Sequence, residues 1–145
     1  MVQATIAVYK NACEQFLPTP TKAHYLFNLR DPAKVVQGIL RATPIAFGSS
    51  DQYLQLWIHE CLRVFADRLA DLKDKDRFID ILDDQLTGAL SSSWSGLCED
   101  KQGPIITDLL SEPEGEESHG DTLEILEDFA KLKLKMEEDL EDYNV

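Results

Sequence analysis

From Leu54 to Leu69 the apolar residues Leu54, Trp57, Ile58, Cys61, Val64, Phe65 and Leu69 recur at steps of one, three and four. A period near 3.6 gathers them on one broad face of an α-helix, whereas a strand would alternate every second residue. Ser50 or Asp51 is placed to cap its start. Glu60, Arg63 and Asp67 lie three and four apart, which predicts a ladder of surface charges. His59-Glu60 resembles the start of a zinc-protease helix, but Arg63 occupies the place of the second histidine, so that chemistry is excluded.

Three further stripes flank this helix. Val2, Ile6, Tyr9, Cys13 and Phe16 predict an N-terminal helix, stopped by Pro18 and Pro20, which lack a backbone donor and disfavour helix in the residue before them. A second helix is expected from Asp31 as N-cap with Pro32 in the first helical position. Val35, Val36, Ile39 and Leu40 would form its buried face. Gly38 within it costs about 1 kcal/mol relative to alanine, which suggests close packing against another element. Thr43-Pro44 and Gly48-Ser49-Ser50 break the pattern into a loop. Phe78, Ile79, Leu82, Leu86 and Leu90 predict a fourth helix ending at Ser91-Ser92-Ser93. Between helices three and four, Asp71 to Asp76 looks superficially like a calcium loop. Lys73 and Lys75 fall where oxygen ligands are required, Asp76 replaces the glycine and Leu82 the final glutamate, so it is a charged turn.

Charge divides the chain. Residues 1–98 carry 11 acids and 10 Lys/Arg, and residues 99–145 carry 16 acids and 4 lysines. A near-neutral helical domain over 1–90 is thus followed by an acidic extension. This balance argues against nucleic-acid binding, which needs basic surface. Within the extension, residues 91–120 form a linker in which Trp94, Leu97 and Pro104-Ile105-Ile106 are apolar enough to dock. Glu112-Pro113-Glu114-Gly115-Glu116-Glu117 reads as solvated linker. A last amphipathic helix is expected from about Asp121 to Asp142, with Leu123, Leu126, Phe129, Leu132, Met136, Leu140 and Tyr143 on one face. Its partner can lie outside this chain.

No run approaches the roughly 20 apolar residues of a membrane-spanning helix, and Met1–Thr5 lacks a basic region followed by an apolar one, so no signal peptide is expected. Cys13, Cys61 and Cys98 form no CxxC pair and are expected as free thiols in a reducing compartment. His24, His59 and His119 are too scattered for a metal site. There is no GxxxxGK[ST] phosphate loop, GxSxG nucleophile turn or GxGxxG fingerprint, so no catalysis by this chain alone is expected.

Arg30 stands apart, in His24-Tyr25-Leu26-Phe27-Asn28-Leu29-Arg30-Asp31-Pro32. A cation at a helix N-terminus opposes the positive end of the dipole and favours an anion nearby. The plainer reading is that Arg30 pairs with Asp31 or points to water.

Leu17-Pro18-Thr19-Pro20, His24 to Asp31, Val36-Gln37-Gly38-Ile39, Leu56-Trp57-Ile58-His59-Glu60, Arg63-Val64-Phe65 and Asp67-Arg68-Leu69 together resemble the dynein heavy chains. Leu140-Glu141-Asp142-Tyr143-Asn144 resembles the helix opening the next module of those motors, and Phe27-Asn28-Leu29-Arg30-Asp31 is closest in wording to axonemal members. The resemblance implies an all-α, four-helix AAA+ lid-type subdomain over 1–90, from the third module of the ring, with residues 121–145 starting the fourth. It implies a piece of an ATP-driven microtubule motor of the ciliary or flagellar axoneme, cytoplasmic, whose partners are the remainder of the ring. Arg30 matches the second sensor, whose planar guanidinium reaches the phosphates of ATP or ADP, held with Mg in the parent module. Pro32 departs from the apolar residue expected after the Arg-Asp pair. The alternative is a stand-alone acidic helical adaptor whose last helix docks in a partner's groove.

Overall fold

The computed structural model describes residues 1–110 and 122–143. In chain order these form α1 (Val2–Gln15), α2 (Arg30–Ile39), α3 (Ser50–Val64), a 3-10 turn (Ala66–Arg68), α4 (Leu72–Ala89), α5 (Trp94–Leu97), β1 (Ile106–Thr107), β2 (Glu124–Ile125) and α6 (Phe129–Tyr143). The architecture is all-α apart from the one short strand pair.

α3 is central because it is buried on two sides. Leu54, Trp57, Ile58, Cys61 and Val64 join the main core with Val8, Val35, Phe65, Phe78 and Leu82. Leu56 turns the other way, into a smaller cluster with Phe47, Ile106 and Leu123. The helix begins with reciprocal bonds that satisfy two otherwise orphaned donors. Ser49 Oγ accepts from Gln52 N–H, and Gln52 Oε1 accepts from Ser49 N–H, both at 3.2 Å. The cap is therefore Ser49, one residue before the predicted Ser50 or Asp51.

Of the stripe expected for α1, Phe16 is buried and Tyr9 packs against the core, but most of the inward face is different. Ala4, Thr5, Val8 and Ala12 face inward, while Val2 is 59% and Ile6 43% exposed. The small side chains of Ala4, Val8 and Ala12, four apart, form a ridge that lets α1 lie close against α2 and α4. Thr5 is buried despite its hydroxyl because Oγ1 accepts from Trp57 Nε1 at 2.9 Å. Size and a polar bond outweighed hydrophobicity here.

α2 also starts earlier than expected. Arg30 rather than Pro32 is the first helical residue and Leu29 the N-cap, with Asn28 Oδ1 accepting from Arg30 N–H at 2.8 Å in the turn just before it. Pro32 sits inside the first turn, where its missing N–H has no intrahelical partner to lose. Val35, Gly38 and Ile39 are buried, but Leu40 is 75% exposed. Gly38 marks a close approach: a Cβ there would lie 2.1 Å from the Glu60 carboxyl carbon.

Beyond α4 more is folded than a linker reading allows. Trp94 and Leu97 belong to the main core. Trp94 donates its backbone N–H to Asp83 at 2.7 Å and its indole N–H to the Asp100 carbonyl at 3.0 Å. β1 pairs antiparallel with β2, Ile106 opposite Ile125 and Thr107 opposite Glu124. Leu126 N–H to the Ile105 carbonyl, 2.8 Å, extends the pairing. The final helix consequently begins at Phe129, not near Asp121. Leu123-Glu124-Ile125 alternates at period two and is taken by the strand, and Asp128 Oδ1 accepts from Ala130 N–H at 2.8 Å to start α6. The acidic run Glu112 to Glu117 lies outside the described residues. No described helix is long and apolar enough to cross a membrane.

Candidate functional site

The segment 22–31 crosses from α1 to α2 and is fastened at two points. At the first, Tyr25 is buried edge-on to Phe16, ring centroids 6.4 Å apart. Its hydroxyl donates to Asp74 Oδ2 at 2.9 Å and accepts from Ala70 N–H at 2.8 Å. Lys22 Nζ lies 2.5 Å from both Asp71 and Asp74. The charged turn at 71–76 thus serves as an anchor. Hydrogen bonds to Asp71 and then Asp74 push the Lys22 ammonium up, and the Lys22 bond holds the Asp74 carboxyl below its usual range.

Arg68 makes the second point. Its guanidinium donates to the Leu26 carbonyl at 3.0 Å and to both carboxylate oxygens of Asp31, to Oδ2 at 3.1 Å. It also stands 5.5 Å from the centroid of the Phe27 ring, a distance at which a cation is attracted to the aromatic face. His24 Nε2 reaches the Arg68 carbonyl at 2.9 Å. Asp31 is only 1% exposed. Burial by itself would raise its carboxyl, but the Arg68 bonds and the Asn28 N–H, 2.9 Å from Oδ2, outweigh it and hold the group low.

Because Asp31 is committed to Arg68, it does not neutralise Arg30. Arg30 is exposed at the first position of α2, and its guanidinium makes no ion pair among the described residues. Leu26 and Leu29 beside it are exposed as well. The arrangement is a permanently charged, planar donor set at the positive end of a helix, bordered by apolar surface. An anion placed there would be favoured by both the guanidinium and the helix N-terminus.

The other residues singled out have structural roles. His59 Nδ1 lies 3.1 Å from the Pro104 carbonyl, and burial pushes its pKa down. Glu60 is 5% exposed, not on a solvated ladder: its Oε2 accepts from Arg63 at 2.6 and 3.0 Å while its carboxylate lies over Gly38. Asp67 is exposed in the 3-10 turn. All three cysteines are free; burial raises the Cys61 thiol well up and Cys98 to about 11, so neither is poised as a thiolate. The described residues contain no metal-ligating cluster. Arg68 and Tyr25, which hold the site together, were given no role by sequence reasoning. Their signal is a charge and a polar aromatic whose partners lie 37 and 49 residues away.

Comparison with known proteins gives the family. Residues 1–91 match the family model described as AAA+ lid domain. Over 145 residues the chain is 43% identical to dynein axonemal heavy chain 2 of Homo sapiens, covering all of this chain and 3% of that protein. It is 38% identical over 146 residues to the dynein-1-beta heavy chain of the flagellar inner arm I1 complex of Chlamydomonas reinhardtii, covering 99% of this chain and 3% of the relative. Human dynein axonemal heavy chain 1 is 39% identical over 144 residues, again 3% of its length.

Proposed function

Since this chain belongs to the AAA+ lid domain family and corresponds to a segment of axonemal dynein heavy chains, we propose that it serves as the nucleotide-sensing lid of an ATP-driven axonemal motor. In this reading residues 1–90 are the lid of the third AAA+ module, residues 91–120 connect it onward, and residues 121–145 open the fourth. Its partners are the rest of the ring and, through it, the microtubule. Its place is the axoneme of a cilium or flagellum. Hydrolysis, with the phosphate loop and Mg-binding acids it needs, belongs to the large subdomains of the ring; this chain contributes a sensor.

The observation that carries the reading is the division of labour between two arginines. Arg68 satisfies Asp31 and fixes the start of α2, leaving Arg30 exposed at a helix N-terminus. Arg30 is then the group that contacts the terminal phosphates of ATP or ADP bound on a neighbouring subdomain. Its charge-assisted hydrogen bonds appear or vanish with those phosphates, so nucleotide state is converted into lid angle. The test is Arg30→Ala in a full-length axonemal heavy chain, with nucleotide exchange at the third module followed directly. Slowed response with normal assembly supports the assignment, and unchanged ATPase and gliding velocity remove Arg30 from it. In calorimetric titration the isolated chain should bind MgATP weakly or not at all. Tight, magnesium-dependent binding would contradict the sensor-only role.

A further inference from the structure

Glu60 is a charged side chain within α3 that is only 5% exposed, and the sensor reading leaves it unused. Its carboxylate lies over Gly38, the one glycine of α2. A Cβ at position 38 would overlap the carboxyl carbon and both of its oxygens. Oε2 accepts from Arg63 Nε at 3.0 Å and from a terminal guanidinium nitrogen at 2.6 Å. Arg63 lies one turn further along the same helix and is half exposed. The pair is therefore fastened to α3 alone and presents a fixed, charged knob to α2.

The remaining contact between α2 and α3 does not fix register by itself. α2 buries Asp31, Val35, Gly38 and Ile39, and the apolar members of that stripe tolerate sliding because hydrophobic contact is non-directional. The Asp31–Arg68 pair ties only the first turn of α2, through a long and partly exposed side chain. Position 38 is different. A helix shifted by one residue moves about 1.5 Å along its axis and turns by about 100°, which brings Gln37 or Ile39 to the place of Gly38. Each of these carries a Cβ, and a Cβ there overlaps the carboxylate. The best-attested use of a buried charge, whose desolvation is costly, is to select one register over its alternatives.

We infer that Glu60 is a positioning residue: its carboxylate, seated on Gly38, pins the register of α2 on α3 and so sets where Arg30 stands. Gly38 is eight residues from Arg30 along α2, about 12 Å. A slip of one residue at the pin turns the whole helix and carries the guanidinium about 100° around its axis, away from a phosphate it meets in the pinned register. The consequence for Arg30 rests on the sensor role proposed above; the pin itself does not.

Glu60→Met tests it, because the substitution keeps a long side chain, removes the charge and leaves Arg63 free to reach solvent. In the full chain the denaturation midpoint should stay level or rise, as it does when buried ion pairs give way to apolar residues of similar volume. The α2 amide resonances, a single set in the unsubstituted chain, should split or broaden away while those of α4 stay sharp. In a full-length axonemal heavy chain the nucleotide response of the third module should slow roughly fivefold or more. Arg30→Ala combined with Glu60→Met should be no slower than Arg30→Ala alone, the non-additivity expected of residues that act through one another. Single, sharp α2 resonances in Glu60→Met overturn the pin. A collapsed midpoint with α2 and α4 disturbed together overturns it too, as do effects of the two substitutions that simply add. If Arg30→Ala leaves the module unchanged while the α2 resonances multiply, the sensor role falls and the pin stands.

Discussion

α3 and α6 are each 15 residues long, and each carries apolar residues at helical spacing. In α3 Leu54, Trp57, Cys61 and Val64 are buried; in α6 nothing is. The termini differ as much. α3 opens on a reciprocal cap with Asp51 in its first turn and closes with Arg63 in its last, the order the dipole favours. α6 has the opposite order. Apolar periodicity therefore reports that a face is to be covered, but not what covers it.

Breaking α3 should cost most. Trp57→Ala removes a fully buried indole and orphans its bond to Thr5, so chemical denaturation should show a loss of about 4 kcal/mol. Arg68→Ala, in the turn after α3, strands the buried Asp31 carboxylate in the first turn of α2; partial exposure of Arg68 tempers the loss to about 3 kcal/mol by the same measurement. Ser49→Ala takes away only the cap and should lower stability by about 1 kcal/mol.

A smaller effect is expected from His59. Burial depresses its folded pKa, so the neutral form is preferred on folding. Its contribution is complete above the unfolded value of about 6.5 and is lost as pH falls through the folded value. Stability measured across pH 5 to 7 should therefore rise with pH, and the rise should flatten in His59→Gln. Least of all should come from Leu134→Ala on the outer side of α6, with a change in body stability below about 0.5 kcal/mol. A loss of several kcal/mol there would show that α6 is folded against the body after all, and the contrast with α3 would fail.

The helical class and the approximate positions of α2, α3 and α4 were legible because period and turn residues are local signals. The inward face of α1 was not. Ala4 and Ala12 carry little hydrophobicity and matter through their smallness, which registers only against the helices they let approach. The start of α6 was misplaced for a related reason: residues 124 and 125 obey a strand partner 17 to 19 residues earlier, and such non-local pairing has no signature within a helical window. At the site, Arg30 stood out by its position. Arg68 did not, because a basic residue in a short turn looks like any surface charge until the buried Asp31 is seen opposite.

One consequence concerns distance. Asp31 and Arg68 are 37 residues apart along the chain, a path that runs the length of α2, through a loop and back along α3. The guanidinium–carboxylate contact closes that path into a ring. A displacement applied at the mouth of the ring, where Arg30 adjoins Asp31, need not travel helix by helix to reach the far end of α3. The ion pair and the packed face between α2 and α3 join the two helices at both ends of that path, so they form one unit rather than two rods joined by a hinge.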